Sequence, residues 1–196
     1  MPTSVKQFDA EALYRDLLEQ VRAGLFDVTD VADAANAANA ANAANAANVA
    51  IVGIHSGGAW LAERLAADLG PELGGAPGGR LGFIDVSFYR DDYAKKGLHA
   101  DVKPSQIGFD VDRATILLVD DVLNTGRTTR AAINVLFDYG RPARIMLAAL
   151  ADRGGRELPM AADFVAARVS LEPTQALVLA RGADGTLSLT IEEDHA

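Results

Sequence analysis

The chain reads as an α/β domain with a mostly parallel central sheet, and three observations carry that reading. Short apolar runs at 49–54 (VAIVGI), 114–120 (ATILLVD) and 144–151 (RIMLAALA) alternate with segments of helical apolar spacing. Glycine-containing turns, His55-Ser56-Gly57-Gly58 and Asn124-Thr125-Gly126, close the first two runs. The length of 196 residues, 49% hydrophobic and 23% charged, suits one domain with a well-buried core.

The elements follow in order. Residues 8–26 place Leu13, Leu17, Leu18, Val21 and Leu25 at helical spacing, which predicts an amphipathic helix. Five copies of Ala-Ala-Asn then fill 34–48. A period of three drifts against the 3.6-residue turn, so the asparagines define no polar face. The tract reads as a low-complexity insert without a chemical role. Strand 49–54 leads through the His-Ser-Gly-Gly turn into a helix over 59–70. A Pro/Gly-rich linker at 71–79 precedes a strand at 81–90. Residues 91–112 are polar, with Gly97, Pro104 and Gly108, and read as a long loop or loose hairpin; loops of that length inside a compact domain are usually lids or binding loops. A strand over 114–120, a helix from about Thr128 to Tyr139, strands at 144–151 and 162–169, and a hairpin of 176–181 with 186–193 complete the domain.

Composition excludes several classes. The chain has no cysteine, which removes disulfides, thiolate metal sites and a thiol nucleophile. The N-terminus is charged from the start and no stretch of 18 apolar residues occurs, so a cytoplasmic protein is expected. A net charge of −9 opposes broad electrostatic binding to nucleic acid.

The chemistry concentrates in residues 116–128, ILLVDDVLNTGRT. Apolar residues run into Asp120 and Asp121 at the carboxyl end of a strand, the end where open α/β sheets bind ligands. Neighbouring side chains alternate across a strand, so both carboxylates reach one ligand only where the strand breaks into a loop. The turn that follows aims backbone N–H groups and a helix dipole at an anion, which suits a phosphate monoester. Thr125, Thr128 and Thr129 can add hydroxyl donors. Carboxylates beside a phosphate cradle make sense as acceptors for sugar hydroxyls a few ångströms along. Together the two parts describe a ribose 5-phosphate. A phosphoacceptor domain also uses paired aspartates, but near its N-terminus and with a later strand-end lysine, which the final strands lack.

This run resembles the 5-phosphoribosyl-1-pyrophosphate (PRPP) signature of type I phosphoribosyltransferases. Segments 119–145 and 152–165, with SFYRDD at 87–92, are similar to the PyrR family of pyrimidine operon regulators with uracil phosphoribosyltransferase activity. The resemblance covers most of the chain from Val49 to about Val169. It implies one type I phosphoribosyltransferase domain over 1–196, with a small hood and a mobile lid within 87–112. The activity it implies joins uracil to PRPP, giving UMP and pyrophosphate. Asp120 and Asp121 would hold the ribose hydroxyls and stabilise the developing oxocarbenium ion. Asn124, Thr125, Gly126, Arg127 and Thr128 would bind the 5-phosphate. His55, Ser56 and Gly57 match the pyrophosphate loop, and Arg90 the lid that closes over it. Asp152, Arg153 and the backbone around Val165 match the base-recognition region. Trp60 and His99 are expected to be structural and an exposed loop residue, respectively.

The same resemblance implies magnesium held mainly by substrate oxygens and water, no membrane, and a dimer or larger assembly. Asn124 stands where purine-specific relatives commonly carry an aspartate, which favours a pyrimidine. Some members attenuate transcription by binding RNA through a basic face. Here the first helix is net acidic, and the family's His-Arg pair reads Gly155-Arg156. RNA attenuation is therefore expected to be weak or lost.

Overall fold

The computed structural model describes residues 7–26, 48–70, 72–73, 80–86 and 105–193. The Ala-Ala-Asn tract up to residue 47, Arg90, His99 and most of the expected lid lie outside the described residues. In chain order the elements are β1 (Gln7–Phe8), α1 (Ala10–Phe26), β2 (Val49–Ile54), α2 (Gly57–Leu69), β3 (Leu81–Ile84), β4 (Gln106–Ile107), β5 (Thr115–Leu123), α3 (Arg127–Tyr139), β6 (Arg144–Asp152), β7 (Phe164–Arg168), β8 (Gln175–Arg181) and β9 (Leu187–Glu193).

The main sheet has the order β4-β3-β2-β5-β6-β7, parallel throughout except for the antiparallel edge pair β3–β4. From β2 the chain moves outward to β3 through α2, and from β5 it moves the opposite way to β6 through α3. The switch point therefore falls between β2 and β5, where doubly wound sheets open a crevice at their carboxyl ends. Burial on both faces explains why β2 and the middle of β5 read as unbroken apolar runs.

Two cores flank the sheet. On one face Leu117 and Val119 of β5 pack with Leu61, Leu65 and Leu69 of α2, and with Tyr14, Leu17 and Val21 of α1. On the other, Ile116 and Leu118 pack with Ala131, Ala132 and Leu136 of α3. The predicted C-terminal hairpin forms as β8–β9, and β1 joins its edge beside β9, so both ends of the chain build one small antiparallel sheet. Glu11 ties that sheet to the helical layer, accepting from the Leu187 backbone N–H at 2.8 Å while paired with Arg64 at 2.9 Å. Trp60 is structural as expected, with the Arg181 guanidinium 5.2 Å from its ring.

Two expectations shift in detail. The strand expected over 81–90 ends at Ile84. The 105–112 end of the expected loop does form a hairpin edge, with Gly82 opposite Ile107 and Phe83 opposite Gln106.

Candidate active site

β5 does not break between its two aspartates. Pairing with β6 continues to Leu123, whereas pairing with β2 stops at Val119. Alternation therefore persists through the acidic pair. Asp121 lies on the α2 face, beside Gly57: a Cβ on Gly57 would stand 2.3 Å from Asp121 Oδ2. Asp120 lies on the α3 face, 5% exposed, and its Oδ1 accepts from the Asp121 backbone N–H at 3.0 Å. The two carboxylates thus lie on opposite faces of a continuous strand, where a strand broken into a loop was expected.

The 55–58 turn is shaped by β5. A Cβ on Gly58 would come 2.4 Å from the Val119 carbonyl oxygen. Both glycines are required by close packing against the strand. His55 donates its backbone N–H to Ile84 O at 2.9 Å, its ring centroid lies 5.6 Å from that of Phe83, and the His55–Ser56 peptide is cis. Ser56 precedes α2 without capping it through its side chain. Gly126 precedes α3 in the left-handed region (φ 89°). Neither helix has an acidic residue in its first turn. At α3 the first N–H, that of Arg127, is met by Thr125 Oγ1 at 3.3 Å, while the start of α2 carries no side-chain cap; the positive ends of both helix dipoles lie toward the carboxyl end of the sheet, a field that suits anions.

The 124–128 turn is held from behind by the segment after β6. Leu123 O accepts from the Arg153 N–H at 3.0 Å, and Thr125 O accepts from the N–H groups of Glu157 and Leu158, each at 3.0 Å. The Arg127 guanidinium pairs with Glu157 (2.5 Å), and its backbone N–H donates to Thr125 Oγ1 at 3.3 Å. Thr125 and Thr128 are half-buried. Thr129 is 1% exposed with no hydrogen-bond partner for its hydroxyl, and so sits in the core.

At the base end, Asp152 pairs with Arg156 at 2.7 Å, and its Oδ1 accepts from the Gly154 N–H at 2.9 Å. Burial would raise this carboxyl, but that N–H and the guanidinium outweigh it and hold it below the ordinary carboxylate range. Val165 has both backbone groups engaged by α1: its N–H donates to Gln20 Oε1 at 3.2 Å and its carbonyl accepts from Gln20 Nε2 at 3.1 Å. No sequence pattern singled out Gln20, because an exposed polar position on an amphipathic helix looks like any other.

With this geometry in place, comparison with known proteins is decisive. The model of the phosphoribosyl transferase domain matches residues 18–172. The bifunctional protein PyrR of Ralstonia nicotianae is 46% identical over 180 residues, 92% of this chain and 90% of that protein. The chain belongs to the PyrR family. The Nitrosococcus oceani PyrR is 50% identical over 129 residues, 66% of this chain and 71% of its own. Among solved structures, the hypoxanthine phosphoribosyltransferase of Trypanosoma cruzi superposes with a TM-score of 0.57 at 18% identity, covering 95% of this chain and 94% of that one. A Leishmania tarentolae enzyme in complex with GMP gives 0.55 at 18% identity, covering 87% and 85%. These two share the type I phosphoribosyltransferase fold with this PyrR-family chain.

Arg156, which stands at the second position of the family's His-Arg pair, is turned into the molecule. Nε donates to Met160 O at 2.9 Å, Nη1 to Asn124 O at 2.5 Å, and Nη2 lies on Asp152. Gly155 before it has φ +68°, and a Cβ there would come within 2.9 Å of Asn124 Oδ1. Glycine at 155 therefore answers a backbone need as well as replacing a basic side chain. Among the described residues, no helix is long and apolar enough to cross a membrane.

Proposed function

We propose that this chain transfers the phosphoribosyl group of PRPP to uracil, giving UMP and pyrophosphate. The observation that carries the reading is the meeting of Gly57 with Asp121 at the switch point. It supports a reading in which the 55–58 turn takes one anion, Asp121 faces the sugar, and the 124–128 turn takes a second anion. Pyrophosphate would bind at His55, Ser56 and Gly57, with Arg90 closing from the lid, and the 5-phosphate at residues 124–128. A ribose lying across the edge of β5 that β2 leaves unpaired beyond Val119 would meet Asp121 from one face and Asp120 from the other, and the two would hold its hydroxyls and stabilise charge as the bond from C1 to pyrophosphate lengthens. Holding base and ribose in line supplies the remainder, since the bond formed and the bond broken are on one carbon.

Among the described residues, no group of three or more His, Cys, Asp or Glu is placed to hold a metal ion. The carboxylate oxygens of Asp120 and Asp121 are hard donors of the kind that suit magnesium. Bound there, mainly through substrate oxygens, magnesium would neutralise the leaving pyrophosphate.

The base would lie over Asp152 and Arg153, against the Val165 backbone. The Gln20 carboxamide now on that backbone presents a carbonyl acceptor beside an N–H donor. Uracil presents the same order along its imide edge. Asn124 cannot take a proton from a purine ring, which favours the pyrimidine. RNA attenuation, the family's second role, is weak or lost on this reading, since Arg22 pairs with Glu19 and Glu72 and Arg156 faces inward.

The test is PRPP consumption with magnesium against uracil, hypoxanthine, guanine and orotate. Uracil should be preferred, and Asp121→Asn should cost roughly 2–4 kcal/mol of transition-state stabilisation. Turnover of a purine alone, or an unaffected Asp121→Asn variant, overturns the reading.

A further inference from the structure

The carbonyl groups of Leu123, Asn124 and Thr125 all point to the segment that follows β6. Leu123 O and Thr125 O are taken by the backbone N–H groups of Arg153, Glu157 and Leu158. Asn124 O accepts instead from a side chain, the Nη1 of Arg156 at 2.5 Å; the same nitrogen lies 3.3 Å from Leu123 O and 3.2 Å from Gly154 O. Arg156 is itself fixed by Met160 O at 2.9 Å and Asp152 at 2.7 Å, and its side chain is 24% exposed. A planar guanidinium donates in several fixed directions at once, which an ammonium group cannot do.

Carbonyl direction decides amide direction. Among the described residues the cis peptide is His55–Ser56, so the peptides of the 123–126 turn are trans. In a trans peptide, C=O and the next N–H point opposite ways. Gripping the carbonyls of 123–125 from behind therefore turns the N–H groups of Asn124, Thr125 and Gly126 away from the 153–160 segment.

We propose that Arg156 is a positioning residue for the 5-phosphate: by holding the Asn124 and Leu123 carbonyls it keeps the loop amides aimed at the anion. This rests on the transferase reading above. It assigns Arg156 an intramolecular task in place of a contact with RNA, and it makes Asp152 the anchor of that task.

The experiment compares UMP with uridine, which differ in the 5-phosphate alone. Binding of each is measured by calorimetry for the wild type, Arg156→Gln and Arg156→Lys, with the folded fraction followed by near-ultraviolet circular dichroism. Both variants should lose about tenfold or more in UMP affinity, the size of one charge-assisted hydrogen bond. Uridine affinity should be unchanged, and KM for PRPP should rise more than KM for uracil. Asp152→Asn, which loosens the anchor, should give a smaller loss in the same direction, and is the readout if Arg156→Gln does not fold. Full retention of UMP affinity by Arg156→Lys overturns the proposal, because charge without the fork would then suffice. Equal loss of UMP and uridine overturns it too. A wild type that binds UMP no better than uridine sinks the transferase reading itself; a wild-type preference surviving in Arg156→Gln sinks the positioning role alone.

Discussion

Replacing Gly57 by alanine tests the contact on which the site depends. The added methyl would stand 2.3 Å from Asp121 Oδ2, 2.6 Å from its Cγ and 2.8 Å from its Cβ. Non-bonded atoms settle at about 3.5 Å, so strand and loop must part by roughly 1 Å. Rotating the carboxylate does not relieve this, because Asp121 Cβ is fixed to β5. A misplacement of about 1 Å between reacting groups costs on the order of 10²-fold. At about 1.36 kcal/mol per tenfold, that is about 2.7 kcal/mol of transition-state stabilisation. The assay is uracil-dependent pyrophosphate release at subsaturating PRPP, run beside a thermal midpoint to separate misplacement from unfolding. A double-mutant cycle with Asp121→Asn should be strongly non-additive, since the second change removes the group that the first displaces. Wild-type kcat/KM in a folded Gly57→Ala variant would refute the reasoning, as would strict additivity in the cycle.

Three further outcomes are expected. Asp152 is held below the ordinary carboxylate range, so its contribution to stability is present above about pH 4 and fades as pH falls through its lowered folded value. Asp152→Asn should accordingly flatten the acid limb of the thermal midpoint against pH; an unchanged limb would contradict the assignment. Gln20→Ala frees both backbone groups of Val165. KM for uracil should then fall with little change in KM for PRPP, and an unmoved KM would take Val165 off the path of the base. In a filter-binding titration, a pyrimidine leader RNA should bind weakly; tight, salt-sensitive retention would show that other cations serve that face.

Much of this protein was legible before any coordinates. Apolar runs and glycine turns fixed the order of strands and helices, because a strand buried on both faces has little freedom to be anything but Val, Ile, Leu and Ala. The acidic pair followed by Thr-Gly marked the strand end and the turn into α3, because a left-handed turn before a helix tolerates few residues. What the sequence could not hold is which groups, distant along the chain, spend their hydrogen bonds on one another. That Gly57 closes on Asp121, that Gln20 of α1 covers Val165 of β7, and that Arg156 faces inward are all consequences of packing across 32 to 145 positions. The same arginine read in isolation is a surface cation. Only the tertiary structure, by setting three backbone carbonyls of one loop against the next, decides that it is part of the scaffold.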